Sequence, residues 1–140
     1  KMDFKVYDYL PESAKFVRQT VFVEEQGFVN ELDETDNIAM HIVLYDEKKP
    51  AATCRIFQGE KSGEYILGRL AVMKDYRGKN IGSMMLAEAE KCASDKGGNV
   101  LMLHSQCRAK DFYAKSGYTE FGEIGYDEGC PHIWMKKQLG

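Results

Sequence analysis

Residues 66–92 read ILGRLAVMKDYRGKNIGSMMLAEAEKC, and more follows from their order than from any other part of the chain. An apolar run, 64–73, has the pattern of a strand. It enters a basic turn holding Gly78 and Gly82, and the turn opens into an amphipathic helix over 80–96. Ile81, Met84, Met85, Ala89, Cys92 and Ala93 recur there at helical spacing, and Gly97-Gly98 ends the run. Strand, glycine turn and helix together build an anion site from backbone. The first helical N–H groups have no partner in the helix, and the helix dipole favours negative charge beside them.

The flanks supply the rest of the architecture. Residues 4–8 alternate like a short strand. Residues 13–26 read as a helix with Ala14, Val17, Val21 and Phe22 on one face and Gly27 at its end. Residues 28–37 form an acidic loop or short helix. Residues 39–45 and 51–57 are strands joined by a short turn at 46–50, an antiparallel hairpin. Residues 99–104 are almost continuously apolar, as in a strand buried on both faces. A short helix over 109–115 precedes two last strands, 118–122 and 132–137, with an acidic, glycine-containing loop between them. Strands and helices alternate through the middle, so the expected class is α/β (α+β). At 140 residues the chain is read as one domain, 1–140, large enough for a single core.

Composition excludes several classes. The formal net charge is −3, whereas nucleic-acid binding needs a basic face, so no nucleic-acid partner is expected. No apolar run approaches the roughly 20 residues that span a bilayer, and no leader is visible, so no membrane partner and a cytoplasmic location are expected. Cys54, Cys92, Cys107 and Cys130 are widely spaced, the pattern of reduced, isolated thiols. His41, His104 and His132 lack the spacing of metal ligands, so no metal is expected. Arg55 and Arg69, inside strands, either pair with carboxylates or reach a substrate.

The turn Arg77-Gly-Lys-Asn-Ile-Gly82 is not a Walker A loop, which ends Gly-Lys-Ser/Thr, and not a Rossmann Gly-x-Gly-x-x-Gly. It resembles the Arg/Gln-x-x-Gly-x-Gly/Ala signature of the GCN5-related N-acetyltransferase (GNAT) superfamily. Arg77 and Gly82 fill the outer positions, and Asn80 replaces the middle glycine. Asn is the next most tolerant residue for left-handed backbone. A second family element, Phe-Tyr-x-x-x-Gly-Phe/Tyr, is matched by Phe112-Tyr-Ala-Lys-Ser-Gly-Tyr118. Residues 18–26, His41-Ile-Val, Ser105-Gln106 and Gly129-Cys-Pro-His132 with Met135 resemble the small bacterial ElaA-like branch.

The resemblance implies a single mixed, mostly antiparallel, twisted sheet of six to seven strands with about four helices on its faces. It implies acetyl-CoA as cosubstrate. Backbone of Leu70, Ala71 and Val72 would pair with the pantetheine arm, where the 64–73 and 99–104 strands splay. Arg77, Gly78, Lys79, Asn80, Ile81, Gly82 and Ser83 would hold the pyrophosphate, and Gln106, Phe112 and Tyr113 the thiol end. The implied reaction is direct attack of a primary amine on the thioester, with the Val72 N–H at the oxyanion. Tyr113 would act as general acid toward the departing thiolate, a role a protonated phenol suits. Glu25, His132 or a water relay would take the amine proton.

Acidic clusters at 24–36 and 120–128 are read either as solvated loops or as a negative rim drawing a cationic acceptor. The second reading points to a small-molecule amine: a polyamine, an aminosugar or a lysine-like compound. The resemblance also leaves a homodimer open. The alternative function is a non-catalytic acetyl-CoA-binding sensor or interaction domain on the same fold, since fold alone does not fix activity.

Overall fold

The computed structural model describes residues 1–140. Seven strands form one sheet in the order β1-β2-β3-β4-β5-β7-β6. They are β1 (Met2–Tyr7), β2 (Met40–Asp46), β3 (Lys49–Gln58), β4 (Glu64–Val72), β5 (Val100–Gln106), β6 (Thr119–Asp127) and β7 (Cys130–Gln138). Every pairing is antiparallel except β4 with β5. Three α-helices accompany them: α1 (Glu12–Arg18), α2 (Ile81–Asp95) and α3 (Lys110–Lys115). No helix is long and apolar enough to cross a membrane.

Alternation along the strands divides the molecule into two faces. On one, Ile42, Leu44, Cys54 and Ile56 join Ile81, Met85, Leu86, Ala89 and Ala93 of α2 in the main core. Met85 and Leu86 are fully buried, so truncating either to Ala would cost about 2–5 kcal/mol. On the other face, Val17, Val21 and Phe22 pack on Ala71 as a separate cluster. The intervening strand positions there include three buried polar residues, His41, Thr53 and Arg55, beside the buried Val43.

Three sequence expectations change. The helix expected over 13–26 is α-helical only to Arg18 and continues as a wider π-helical segment, Gln19–Glu25. Helical periodicity reads much the same through both, so the change of pitch is invisible to it. The fourth helix is therefore this π segment together with short 3₁₀ turns. The loop expected between the last two strands is mostly strand. β6 runs to Asp127 across a register shift between Phe121 and Gly125, and the hairpin turns at Glu128-Gly129. Gly122, with φ 77°, permits that irregularity, and glycines in the segment mimic a loop signal.

The acidic stretch 24–36 is neither solvated loop nor open negative rim at its core. Glu31 and Asp36 are buried. Arg18 donates to Glu31 Oε2 (2.6 Å) and to Asp36 Oδ1 (2.7 Å), while Arg55 donates to Asp33 Oδ1 (2.6 Å) and Asp36 Oδ1 (2.8 Å). Burial opposes ionisation of Asp36, but the hydrogen bonds from Arg18 and Arg55 outweigh it and hold the carboxyl well below its usual range. Arg55 and Arg69 thus pair with carboxylates, one of the two roles expected of them.

Candidate active site

The site begins with a bulge in β4. Arg55 pairs with Gly68, yet Thr53 pairs with Ala71, so β4 carries one extra residue there. Arg69 takes a left-handed φ of 53°, costly for a side chain that only surrounding structure can hold in place. Bulges end pairing and re-aim strands. The β4–β5 ladder runs from Glu64 and Val100 to Leu67 and Leu103 and stops where the bulge starts. Beyond it β4 stays with β3 and β5 stays with β7, so the sheet opens between them.

The opening is a cleft of about 240 Å³. Leu70, Gln106, Tyr113 and His132, all singled out from sequence, line it. Phe22 reaches it from the π segment and Gln26 from that segment's C-cap, and Asp127 and Glu128 from the last hairpin. Two ties cross it: Gln106 Nε2 donates to Gln26 Oε1 (2.9 Å), and Glu128 accepts the N–H groups of Val29 (3.0 Å) and Asn30 (3.1 Å). Those two amide bonds lower the Glu128 carboxyl below its ordinary value.

A second groove, of about 520 Å³, lies at the mouth of α2. Val72, Arg77, Gly78, Asn80, Ile81, Gly82, Ser83 and Phe112 line it. Gly78 and Asn80 both have left-handed backbone, φ 78° and 67°. Asn80 caps α2 without a side-chain hydrogen bond. As a result, the N–H groups from Gly78 through Ser83 find no acceptor in the protein. A row of free amides at a helix N-terminus is an anion site. At Gly82 a Cβ would stand 3.1 Å from the Phe112 ring, so a glycine lets that ring close the groove.

Backbone direction along β4 follows from one bond. The Met73 N–H donates to the Ala51 carbonyl (2.9 Å), so this antiparallel ladder turns Ala71 toward β3 and Val72 away from it. The Val72 amide therefore faces the open side. Ala71 does not: its backbone is used by β3 and its side chain packs on Val17, Val21 and Phe22. This corrects the expectation that all three residues offer backbone to a bound arm.

Arg77 and Glu25 meet each other. Arg77 Nη2 donates to Glu25 Oε1 (2.6 Å), and its Nε donates to the Val72 carbonyl (2.9 Å). The pair links the end of the π segment to the turn, and Glu25 does not line the cleft. Lys79 lies over the Tyr76 ring at 5.8 Å, outside the groove lining.

Tyr113 is 8% exposed, and its hydroxyl has no hydrogen-bond partner within the protein. Burial pushes its phenol up, so it is protonated at neutral pH and has a proton to donate. His132 Nδ1 lies 2.8 Å from the Cys130 carbonyl, which can only accept, so Nδ1 carries the proton and the neutral ring keeps a free Nε2 lone pair. The ring of His104, which sequence reading used only to discount a metal, sits 4.9 Å from that of His132 and stacks on Trp134 at 4.8 Å. Burial and then the neighbouring His132 lower its pKa. Only the β5–β7 register, Gln106 opposite His132 and His104 opposite Trp134, brings the two histidines together.

Known proteins resemble this chain in sequence and in fold. The acetyltransferase (GNAT) domain family matches residues 7–139. The uncharacterized N-acetyltransferase YjcF of Bacillus subtilis is 36% identical over 129 residues, covering 90% of this chain and 91% of that protein. A crystal structure from Lactobacillus plantarum superposes with a TM-score of 0.90 at 30% identity, covering 99% of this chain and 98% of that one. Escherichia coli ElaA has the same fold, with a TM-score of 0.86 at 22% identity over 98% of this chain and 99% of its own.

Proposed function

We propose the following reading for this chain, which belongs to the acetyltransferase (GNAT) family and is therefore an N-acetyltransferase enzyme: it moves an acetyl group from acetyl-CoA to a primary amine of a small molecule. The single observation that carries the reading is the row of free amides from Gly78 to Ser83 beside the point where β4 and β5 part. The groove suits a diphosphate because backbone donors need no side-chain rearrangement to meet it. Gly78, Asn80, Ile81, Gly82 and Ser83 would hold that diphosphate, with Phe112 against the glycine. Lys79 adds charge from outside the lining, and Arg77 acts first as the strut that fixes the turn to Glu25. The free edge of Val72, with Leu70, would take the pantetheine arm by strand-like pairing.

Acetyl-CoA supplies the activated thioester; the chain's own residues orient the amine and move its protons. The Val72 N–H is the oxyanion donor, a contribution of about 3–4 kcal/mol for such a group. Tyr113 donates its phenol proton to the leaving sulfur. Of the two side chains considered as base, His132 is supported by its place in the cleft and its free Nε2, whereas Glu25 is engaged by Arg77. Among polyamine, aminosugar and lysine-like acceptors, a polyamine is disfavoured, because arginines pair with Glu31, Asp33 and Asp36 of the acidic stretch that suggested a polycation.

The test is an acceptor screen with isotope-labelled acetyl-CoA, read by mass spectrometry. Labelled N-acetyl product with release of CoA is expected. Tight acetyl-CoA binding with no transfer to any amine would instead make the chain a sensor domain.

A further inference from the structure

Two guanidiniums with unfinished hydrogen bonding line the cleft: Arg108 is exposed and held only through Nε, which donates to Gln106 Oε1 (2.7 Å), whereas Arg69 is fixed by several bonds. Arg69 sits on the β4 bulge and lines the cleft. Its Nε donates to the Glu31 carbonyl and to Glu31 Oε2, both at 3.1 Å. Its Nη2 donates to the Glu31 carbonyl (2.8 Å) and to Asp33 Oδ2 (3.2 Å). These bonds fix the plane of the guanidinium. Nη1, with two further N–H donors, bonds to nothing in the protein. Nor is it sealed: the one fully buried side-chain nitrogen without a partner is Arg55 Nε, and the Arg69 side chain is 25% exposed.

The surrounding charges leave room for an added anion. Three guanidiniums, Arg18, Arg55 and Arg69, share three carboxylates, Glu31, Asp33 and Asp36, so the network is formally neutral. Burial first, and then repulsion from Arg55 and Arg18, make the charged Arg69 less comfortable than usual. Across the cleft, the Glu128 carboxylate is already spent on the amides of Val29 and Asn30, while Asp127 makes no side-chain bond within the protein. A molecule with both charges would find a counterpart for each, whereas a polycation would meet Arg69.

We propose that Arg69 Nη1 anchors a carboxylate carried by the acceptor, so that the acceptor is an amino carboxylate, an amino-acid-like or short-peptide-like amine. The proposal rests on the N-acetyltransferase reading of the same cleft and adds the substrate class to it. The rigid guanidinium positions the acceptor by a charge-assisted hydrogen bond, and its left-handed backbone is the strain that aims it.

The test is steady-state acetylation of matched amines that differ only in carboxylate against carboxamide, over several spacings between amine and acid. For at least one spacing the wild-type protein should favour the carboxylate by roughly tenfold to a hundredfold in kcat/KM, the range expected of a hydrogen bond to a charged group. The folded Arg69→Lys variant, which keeps the charge but loses the fork, should lose most of that ratio. Equal rates on acid and amide at every spacing overturn the proposal and leave the acetyltransferase reading standing. A ratio unchanged in Arg69→Lys overturns it too, by moving the anchor to Arg108. Should Arg69→Lys fail to fold, the wild-type ratio together with Arg108→Gln decides: a ratio surviving loss of Arg108 supports Arg69, and a ratio lost with it overturns the proposal. No transfer to any amine, with acetyl-CoA bound, removes both readings together.

Discussion

Single residues fix the site's chemistry here by what they leave unsatisfied. Tyr113 is almost wholly buried, yet its hydroxyl is unclaimed, and burial keeps it protonated. Tyr113→Phe should therefore lower kcat about a hundredfold, the lower range for a lost general acid, with acetyl-CoA affinity by calorimetry within about twofold of wild type. Unchanged turnover with a competent amine would remove the role. Asn80 shows how far one residue was legible. Its tolerance of left-handed backbone was evident from its side chain, and it adopts φ 67°. His104 was not legible in this way, because its nearness to His132 exists only through strand register.

At the scale of elements, the segment from α1 to β2 is held by ions rather than by an apolar face alone. Arg18 is 1% exposed and bridges Glu31 and Asp36. Replacing it with Met would take one of two arginine partners from each of two buried carboxylates, leaving Asp36 to Arg55 and Glu31 to Arg69, and the urea midpoint should fall by the equivalent of about 3 kcal/mol. The pH dependence has a definite sign. Asp36 and Asp33 are held below their ordinary values, Asp36 by hydrogen bonds that outweigh its burial and Asp33 chiefly by its bond to Arg55. Their contribution is complete above the unfolded pKa of about 3.9 and drains as pH falls below it. Urea titrations should show that loss between about pH 4 and pH 2, with a shallower slope in Asp36→Asn. An equal slope in the variant would assign the acid loss elsewhere. Sequence exposed the acidic residues and two of the three arginines. Arg18 escaped notice because it stands beside the apolar positions of α1, where a charge reads as surface.

For the whole molecule, the important fact is that one sheet divides in its middle. β4 leaves β5 after Leu67, and two side-chain ties span the gap. A ligand pairing with Val72 and seated on the α2 mouth would replace ladder bonds that the bulge removed. Acetyl-CoA at a hundred times its Kd should stabilise the fold by about 2.7 kcal/mol and raise Tm by roughly 10 °C. ATP at equal concentration should do far less; an equal shift would mean that the mouth of α2 reads only phosphate.

The sequence by itself determined the strand–turn–helix unit, the hairpin of β2 and β3, the helix ending at Gly97-Gly98 and the two motifs that carry the family, because each depends on residues close together in the chain. Periodicity, glycine and capping chemistry act within a few residues, and a linear reading captures them. Only tertiary structure decided that Glu25 meets Arg77, that three arginines pair with Glu31, Asp33 and Asp36, and that Arg69 lines the cleft with one nitrogen unpaired. Those outcomes depend on strand register and on a bulge, and a shift of one residue moves a side chain to the opposite face of the sheet.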